Sequence, residues 1–338
     1  MYNKSILITG GTGTFGNKCV EILLKKYNPK KIVIFSRDEF KQFHMMKKFT
    51  SDKMRFFLGD VRDYERLSMA LKDIDIVIHA AALKQVPQAE TDPIECIKTN
   101  IIGTQNVISA AINSNKVKLV HAISTDKAAN PINLYGSTKL CLEKVITAAN
   151  NLTGTVKFSI SRYGNVVGSR GSITTVFQDQ LDKKLGYFTI TDERMTRFWF
   201  NINKGVEFVL NNIQRTVGGE LFIPKLKSVR ITDLAKSFNP KYKLKFIGIR
   251  AGEKLHEYLI TENEAENTIE YKDFFIIKPV INLNTTSKNL KIKTKSKINK
   301  YHDYLTTNLN EKGKLFKGHS YSSDKNIFFK ISELKKYN

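Results

Sequence analysis

Tyr135 and Lys139 stand four residues apart in the segment Tyr135-Gly136-Ser137-Thr138-Lys139. On a helix this spacing places both side chains on one face. The lysine ammonium lowers the pKa of the phenol and can also hold a ribose hydroxyl. The phenolate then accepts a proton from an alcohol while a hydride leaves the same carbon. The pair predicts a site for alcohol oxidation on a helix.

The spacing alone is not specific, because two other pairs share it: Tyr27 with Lys31, and Tyr321 with Lys325. Pro29 interrupts any helix across the first pair, and the second lies in an irregular, polar tail. Tyr135 follows a core strand and is preceded by a proline and an asparagine, which are helix-start signals. These contexts favour Tyr135.

Asp126 and Lys127 follow the fifth predicted strand in the segment Ser124-Thr125-Asp126-Lys127. Open α/β sheets bind ligands at the carboxyl ends of their strands. An acid beside an amine at this edge is either a surface ion pair or an acid–base pair. Its closeness to Tyr135 favours the second interpretation.

A glycine-rich turn, Gly10-Gly11-Thr12-Gly13-Thr14-Phe15-Gly16, follows the first predicted strand and opens the first helix. It matches the dinucleotide-binding fingerprint in two registers, beginning at Gly10 and at Gly11. Glycine lets the backbone approach a pyrophosphate, and the helix N-terminus offers free N–H groups to it. We therefore expect a nicotinamide dinucleotide at this turn.

The second predicted strand ends at Ser36-Arg37-Asp38. Arg37 can pair with a 2′-phosphate and Ser36 can donate to it, which favours NADP. Asp38 keeps NAD open, since an acid at this place commonly binds the ribose hydroxyls. Two later strand ends fit the same site: Asp60 as an acceptor for the adenine amino group, and the small residues Ala80-Ala81-Ala82 against the cofactor.

Short apolar runs alternate with helical patterns through the first half of the chain. We expect buried strands at 5–9, 31–35, 54–58, 75–79, 118–123 and 156–162, with the first helix at 17–27. Such units force parallel strands and right-handed crossovers. The fold class predicted is α/β: a doubly wound, Rossmann-type parallel sheet with a smaller C-terminal substrate-binding α/β region.

The second half has a looser pattern, with helices expected near 174–184 and 204–214 and strands near 219–223 and 243–248. No linker rich in Pro, Gly or Ser separates the halves. We place the cofactor domain at 1–165 and a mainly substrate-binding region at 166–338, from which some segments return to the first domain. From about Thr285 the chain is polar and rich in Lys, so we expect little core there.

The 338 residues carry a formal net charge of +23. The lysines are spread along the chain without a nucleic-acid-binding motif, so an anionic small substrate is favoured over nucleic acid. Three scattered cysteines, Cys19, Cys96 and Cys141, have no metal-ligand spacing and indicate a reducing compartment. No apolar run is long enough for a membrane span. Because the first strand begins at Ser5, we expect no signal peptide and a cytoplasmic protein.

Seven further motifs indicate a family resemblance. They are SRDE at 36–39, GDVRD at 59–63, HAAALK at 79–84, STDKA at 124–128, RYGNV at 162–166, MTRF at 195–198 and GEKLH at 252–256. With the glycine turn and the Tyr135–Lys139 pair, the chain resembles the extended short-chain dehydrogenase/reductases. Within them it is similar to the inverting UDP-N-acetylglucosamine 4,6-dehydratases that open pseudaminic acid synthesis for surface or flagellin glycosylation. The resemblance runs from about Lys4 to about Pro279 and weakens towards the end. Ala251 stands where a proline is expected.

The resemblance implies a role for each matching position. The catalytic residues would be Thr125, Asp126, Lys127, Tyr135 and Lys139. NADP would be bound by Gly10, Thr12, Gly13, Thr14, Phe15, Gly16, Ser36, Arg37, Asp38, Lys41, Asp60, Val61, Ala80, Ala81, Ala82, Lys84, Asn100, Tyr135, Lys139, Val166 and Arg170. UDP-N-acetylglucosamine would be bound by Asn165, Thr196, Arg197, Arg250 and Glu253. No metal is implied, and a homo-oligomer such as a hexamer is expected.

The implied reaction oxidises carbon 4 of the sugar, which acidifies the proton on carbon 5. Lys127, if neutral, would remove that proton, and Asp126, if protonated, would donate to the departing hydroxyl of carbon 6. Non-inverting dehydratases carry Asp-Glu where this chain has Asp126-Lys127, and 4-epimerases lack the pair. Both remain alternatives, as does a non-catalytic NADP sensor, and that sensor has no need of the acid–base residues.

Overall fold

The computed structural model describes residues 1–167, 172–280 and 304–335. Its helices, in chain order, are α1 Thr14–Lys26, α2 Glu39–Lys48, α3 Tyr64–Ala70, α4 Val86–Thr91, α5 Pro93–Ile97, α6 Gly103–Ile112, α7 Leu134–Ala149, α8 Ile173–Asp182, α9 Ile202–Arg215, α10 Ile231–Phe238, α11 Glu262–Ala265 and α12 Ile331–Leu334. A π-helical turn covers Lys98–Ile102, and a 3-10 turn covers Asp126–Ala128.

The strands are β1 Ser5–Thr9, β2 Lys31–Ser36, β3 Met54–Leu58, β4 Ile76–His79, β5 Leu119–Thr125, β6 Lys157–Tyr163, β7 Asn165–Val166, β8 Tyr187–Ile190, β9 Thr196–Phe200, β10 Leu221–Pro224, β11 Ser228–Arg230, β12 Lys243–Phe246, β13 Tyr258–Ile260, β14 Thr268–Glu270, β15 Phe274–Ile277, β16 Lys314–Leu315 and β17 Tyr321–Ser322. Ten of them form one sheet, in the order β16-β14-β15-β10-β6-β5-β4-β1-β2-β3.

The strands from β3 to β10 in this sheet pair in parallel, and β15, β14 and β16 extend it antiparallel. The strand order reverses between β1 and β4. Ligands bind at this reversal in doubly wound sheets, outside the carboxyl ends of the strands. The predicted fold class is therefore confirmed.

Alternate residues of β1 face the two helical layers that cover the sheet. Leu7 packs with Val77 and Val120 on one face, whereas Ile6 and Ile8 pack with α1 residues on the other. All three β1 side chains have no exposed surface. Burial on both faces explains why β1 is a continuous apolar run in the sequence.

The predicted strand bounds are nearly those observed, and the differences fall at strand ends and helix starts. β5 continues to Thr125, two residues beyond the expected end at Ile123. Helix α1 begins at Thr14, three residues before the expected Asn17, because the end of the glycine turn is already helical. As a result, Thr125 lies within a strand, and Thr14, Phe15 and Gly16 lie within a helix.

The second half of the chain contributes to the large sheet as well as to smaller ones. β10, β14, β15 and β16 belong to the large sheet, and two small sheets have the orders β11-β9-β7 and β12-β8. A separate apolar cluster beneath them includes Phe177, Phe188, Trp199 and Leu234. The boundary near residue 165 stays a prediction.

Residues 304–335 bury few side chains, as expected near the C-terminus, yet they pack on the rest of the chain at defined places. Leu334 and Ser323 are fully buried, and the Tyr304 hydroxyl donates to the Gly218 carbonyl at 2.8 Å. β17 pairs with β13. Tertiary pairing orders a segment whose composition is polar, which a local reading of composition cannot detect. The Lys-rich run at 288–300 lies outside the described residues.

In the described residues, no helix is both long enough and apolar enough to cross a membrane.

Candidate active site

A cavity of about 620 Å³ opens at the carboxyl ends of the parallel strands. Most predicted site residues line it: Gly10, Thr12, Gly13, Thr14, Phe15, Ser36, Arg37, Asp38, Lys41, Asp60, Val61, Ala80, Ala81, Ala82, Lys84, Thr125, Asp126, Lys127, Tyr135, Lys139, Asn165 and Val166. The site therefore combines the predicted cofactor and catalytic sets in one space, at the edge that the sheet order indicates.

The glycine turn presents backbone to the cavity. A Cβ atom on Gly16 would lie 2.0 Å from the carbonyl oxygen of Gly11, so only glycine allows the turn to close onto α1. Asn17 secures the turn by donating to the Thr12 and Gly13 carbonyls at 3.0 and 3.1 Å. Among the described residues, no side chain caps α1 at Gly13. Its N–H groups are thus available to a pyrophosphate.

The end of β2 carries the groups expected to select the cofactor. The Ser36 and Thr12 hydroxyls lie 2.8 Å apart. Arg37 is half exposed and its guanidinium is 3.6 Å from the Asp60 carboxylate. Asp38 caps α2 and forms an ion pair with Lys41. Two cations, Arg37 and Lys41, therefore stand at this end of the cavity, where the 2′-position of an adenosine ribose is expected.

Tyr135 is buried at the start of α7, next to the Asp126–Ala128 turn. A Cβ atom on Gly136 would lie 2.3 Å from the Lys127 carbonyl oxygen, so this glycine lets α7 pack directly on that turn. Burial raises the pKa of Tyr135 to about 12, and the Lys127 ammonium and a hydrogen bond with Thr125 oppose the rise. Lys127 is thus a cation that lowers the phenol pKa, a part the sequence had assigned to Lys139.

Lys139 is anchored on the sheet, and its amine donates to the Ile123 carbonyl at 2.5 Å. Burial lowers the pKa of Lys139 to about 8, although the Glu143 carboxylate acts in the other direction. An amine fixed beside Tyr135 and lining the cavity is suited to hold a ribose hydroxyl by a hydrogen bond.

Lys127 lies between two buried carboxylates, which we call the Lys127 triad: Asp126, Lys127 and Glu257. The Lys127 amine is 3.1 Å from Asp126 Oδ1 and 3.0 Å from Glu257 Oε1. The two acids expose only 1% and 2% of their side chains, whereas Lys127 exposes 23% towards the cavity. Sequence reasoning found the first two members and missed Glu257.

The charges of the triad determine where its protons reside. Burial raises the pKa of Asp126, Lys127 lowers it, and Glu257 raises it again, with a net increase. Burial disfavours the charged form of Lys127, but Asp126 and Glu257 outweigh this and raise its pKa. Asp126 is thus suited to act as an acid. Lys127 is a cation in the free protein, so the neutral form that a base needs requires a proton transfer.

One of the five predicted substrate residues lines the cavity, and the other four lie outside its lining. Asn165 lines the cavity. Arg197 is buried, donates to the Leu255 carbonyl at 3.0 Å and lies 3.8 Å from Glu253. Arg250 is exposed in the same loop, which is held to the start of α7 because Asn133 donates to the Gly252 carbonyl at 2.7 Å. Thr196 is bonded to Ser323 and His256 at 2.7 and 2.9 Å, away from the cavity lining.

Three other predicted cofactor residues do not line the cavity or cannot be placed. Gly16 lies inside the turn, and Asn100 is fully buried, where it accepts from the Leu83 N–H at 2.8 Å and donates to the Leu83 carbonyl at 2.9 Å. Asn100 therefore shapes the loop after β4. Arg170 lies outside the described residues.

Buried polar atoms without a hydrogen-bond partner in the described part of the chain concentrate around this cavity. They include Thr99 Oγ1, Asp126 Oδ2, Asn165 Oδ1 and Trp199 Nε1 on lining residues, and Glu257 Oε2 in the triad. Unsatisfied buried groups are costly. Their clustering fits a site shaped for a polar ligand, and with the glycine turn it fits a dinucleotide beside a second polar molecule. Trp199 was missed from the sequence, because an indole on a buried strand reads as core.

The strand order, the glycine turn and the Tyr135–Lys139 pair together define an enzyme of the short-chain dehydrogenase/reductase type. The triad adds two buried carboxylates and an amine to that framework. The chain belongs to the family described as polysaccharide biosynthesis protein, whose pattern matches residues 6–279.

Individual relatives are similar to this chain over most of their length. The chain is 51% identical over 330 residues to a protein of Campylobacter jejuni named UDP-N-acetylglucosamine 4,6-dehydratase (inverting), covering 96% of this chain and 94% of that one. It is 42% identical over 284 residues to a Rickettsia rickettsii protein named UDP-glucose 4-epimerase, covering 81% and 83%. The solved structure of Pen from Bacillus thuringiensis superposes with a TM-score of 0.85 at 34% identity, covering 99% and 98%.

Proposed function

We propose that this chain is a UDP-N-acetylglucosamine 4,6-dehydratase that inverts carbon 5 and uses NADP. The observation that carries the proposal is the buried Asp126–Lys127 pair beside Tyr135, since an elimination needs both an acid and a base close to the oxidising group. The 51% identity to the inverting dehydratase of C. jejuni supports the same reaction.

Tyr135, ionised beside the Lys127 ammonium, accepts the proton of the sugar's 4-hydroxyl, and Thr125 is hydrogen-bonded to it at the end of β5. A nicotinamide dinucleotide held by the glycine turn and Lys139 would supply the hydride acceptor and donor that this internal oxidation and reduction needs. Lys139, one helical turn after Tyr135, would hold the nicotinamide ribose through its amine. The resulting ketone makes the carbon 5 proton acidic enough for an amine base.

Lys127 and Asp126 reach the required protonation states by exchanging one proton. Transfer from the ammonium to the carboxylate over the 3.1 Å between Nζ and Oδ1 leaves a neutral amine and a carboxylic acid. The amine then takes the carbon 5 proton, the acid protonates the carbon 6 hydroxyl, and water departs. Once carbon 6 has received the hydride, a proton from solvent adds to carbon 5 on the opposite face and completes the inversion, giving UDP-2-acetamido-2,6-dideoxy-β-L-arabino-hex-4-ulose.

NADP is favoured over NAD because Arg37 and Lys41 both line the end of the cavity next to β2. An Arg37→Ser variant is expected to raise KM for NADP about 10-fold or more while changing that for NAD little, since an arginine–phosphate pair is a charge-assisted contact. Equal effects on both cofactors would contradict the assignment. The cofactor that co-purifies with the protein gives an independent check.

The decisive experiment is incubation with UDP-N-acetylglucosamine in heavy water. We expect a 4-keto-6-deoxy product of L-arabino configuration with deuterium at carbon 5. A D-xylo ketone would indicate the non-inverting dehydratase, and UDP-N-acetylgalactosamine would indicate an epimerase. The name of the R. rickettsii relative makes the last outcome worth excluding, although 3.1 Å between Asp126 and Lys127 favours elimination. Binding of NADP without turnover of any sugar nucleotide would favour the sensor.

The family resemblance of the sequence supports a proposal about the product's place in metabolism. We place the enzyme at the first step of pseudaminic acid synthesis, in the cytoplasm, as a homo-oligomer such as a hexamer. Accumulation of the product in a strain lacking the next, aminating step tests the pathway, and light scattering tests the assembly.

A further inference from the structure

Glu257 follows directly after the GEKLH motif and is the third member of the Lys127 triad. Its side chain exposes 2% of its surface, and Oε1 lies 3.0 Å from the Lys127 amine. Oε2 is 3.7 Å from the Lys254 amine and has no hydrogen-bond partner in the described residues. A buried carboxylate oxygen without a hydrogen bond lowers the stability of the fold. Such a group beside a catalytic base is typical of residues that take part in a reaction.

The backbone of Glu257 is held by the C-terminal segment. Its N–H donates to Ser323 Oγ at 2.9 Å, and the Ser323 N–H donates to its carbonyl at 2.8 Å. Ser323 Oγ also lies 2.7 Å from the Thr196 hydroxyl. A residue about 200 positions beyond Lys127 in sequence therefore fixes the second carboxylate against that amine.

The titratable and charged groups that face Lys127 lie on several elements. Asp126 is on its own turn, Tyr135 is on α7, Arg197 is on β9, and Lys254 and Glu257 are on the loop before β13. Glu253 faces Arg197 at 3.8 Å. Glu257 is the carboxylate from outside the turn that directly contacts the Lys127 amine.

We propose that Glu257 is the positioning residue of Lys127, holding its amine towards the cavity and tuning proton exchange between Lys127 and Asp126. The proposal rests on the dehydratase function proposed above. The contact at 3.0 Å, with the Glu257 backbone held by Ser323, gives the amine a second anchor besides Asp126. The negative charge of Glu257 favours a proton on both neighbours.

The sign of the resulting pH dependence is fixed by this charge. Glu257 raises the pKa of Asp126 and of Lys127. A Glu257→Gln variant therefore lowers both pKa values, and both limbs of the kcat/KM profile move to lower pH, by about one unit or more for a charge at this distance. We also expect kcat to fall about 10–100-fold with a small change in KM, because the base is no longer held.

The experiment compares three variants in heavy water with UDP-N-acetylglucosamine. Glu257→Asp keeps the charge and is expected to keep the position of the wild-type profile while recovering part of kcat. Glu220→Gln is the matched control, since Glu220 is equally buried but distant, bonding to the Gly218 N–H at 2.9 Å. It is expected to leave the profile in place. A fall in kcat for Glu257→Gln without movement of either limb would overturn the proposal.

A second measurement does not depend on sugar turnover. Acetic anhydride acylates neutral amines, and mass spectrometry of Lys127 against pH reports its titration in the free protein. The acylation curve of Glu257→Gln is expected at lower pH than that of the wild type, and a coincident curve overturns the proposal. If the wild type makes no dehydrated sugar, the dehydratase proposal fails and this curve alone decides the role of Glu257. If Glu257→Gln does not fold, Ser323→Ala provides the same test with a smaller expected displacement.

Discussion

Two buried triads of the same charge lie in this molecule, and they have different environments. In one, Arg162 lies between Glu143 and Glu264, with guanidinium–carboxylate distances of 2.6 and 2.8 Å. In the other, Lys127 lies between Asp126 and Glu257 at 3.1 and 3.0 Å. Arg162 is fully buried, whereas Lys127 lines the cavity.

The two triads differ in how completely their polar atoms are satisfied. Arg162 donates to both oxygens of Glu143, both oxygens of Glu264 and the Leu259 carbonyl. In the Lys127 triad one oxygen of each acid has no hydrogen-bond partner in the described residues, and for Glu257 that oxygen is 3.7 Å from the Lys254 amine. A guanidinium stays charged at any accessible pH, while an ammonium can lose its proton. The Arg162 triad is therefore built to hold α7, β6 and α11 together, and the Lys127 triad to move protons.

The largest expected effect comes from removing the reactive cation. Lys127→Met is expected to reduce kcat about 10²–10⁴-fold, the usual contribution of a general base. Turnover of UDP-N-acetylglucosamine measures this, and exchange of deuterium into carbon 5 should be lost with it. Lys183→Met, on an exposed helix lysine paired with Asp179, is the control and should keep wild-type rates. Normal carbon 5 exchange in Lys127→Met would remove the distinction between the triads.

Removing the other cation should affect stability. Arg162→Met leaves two buried carboxylates without a cation, which is expected to lower the free energy of unfolding by about 3–5 kcal/mol. Urea denaturation measures this quantity. Adding Glu143→Gln to the same chain should recover part of the loss, since it removes one of the unpaired charges. A loss below about 1 kcal/mol would mean that the Arg162 triad contributes no more than a surface ion pair.

The sequence predicts the local parts of this arrangement and misses the distant ones. Strand bounds, the turn Gly10–Gly16 and the Asp126–Lys127 dipeptide follow from apolar patterns and from residues adjacent in the chain. Glu257 lies 130 positions after Lys127, and nothing near it in sequence indicates which cation it meets. Arg162 has the same difficulty, because its partners are on α7 and α11. Buried charge pairing is a tertiary property, and so is the order of the tail around Ser323.

Stability should change with pH in opposite directions for the two triads. Burial raises the pKa of Glu264, but Arg162 outweighs it and the net pKa is lowered. Its stabilisation is present above the ordinary glutamate pKa and is lost as the pH falls through the folded-state value. Burial raises the pKa of Asp126, so its contribution is present at low pH and is lost as the pH rises through its folded-state value.

At pH 7 these signs give opposite expectations for two similar substitutions. Glu264→Gln should destabilise the protein, and Asp126→Asn should stabilise it by roughly 0.5–2 kcal/mol, as removal of strained functional groups commonly does. Thermal unfolding between pH 4 and 8 measures both, and the deficit of Glu264→Gln relative to wild type should shrink towards pH 4. Equal signs at pH 7 would contradict the comparison.

A smaller effect than that of Arg162→Met is expected at the edge of the Arg162 triad. The Ser124 hydroxyl donates to Glu143 Oε1 at 2.6 Å, and the same oxygen accepts from Arg162 Nε at 2.9 Å. Ser124→Ala removes one of these bonds and leaves the ion pair intact, so the free energy of unfolding should fall by only about 1–2 kcal/mol. Urea denaturation of Ser124→Ala, of Arg162→Met and of the double variant forms a cycle. Because both side chains satisfy one oxygen, their effects should not add, and strict additivity would show that Ser124 acts outside the triad.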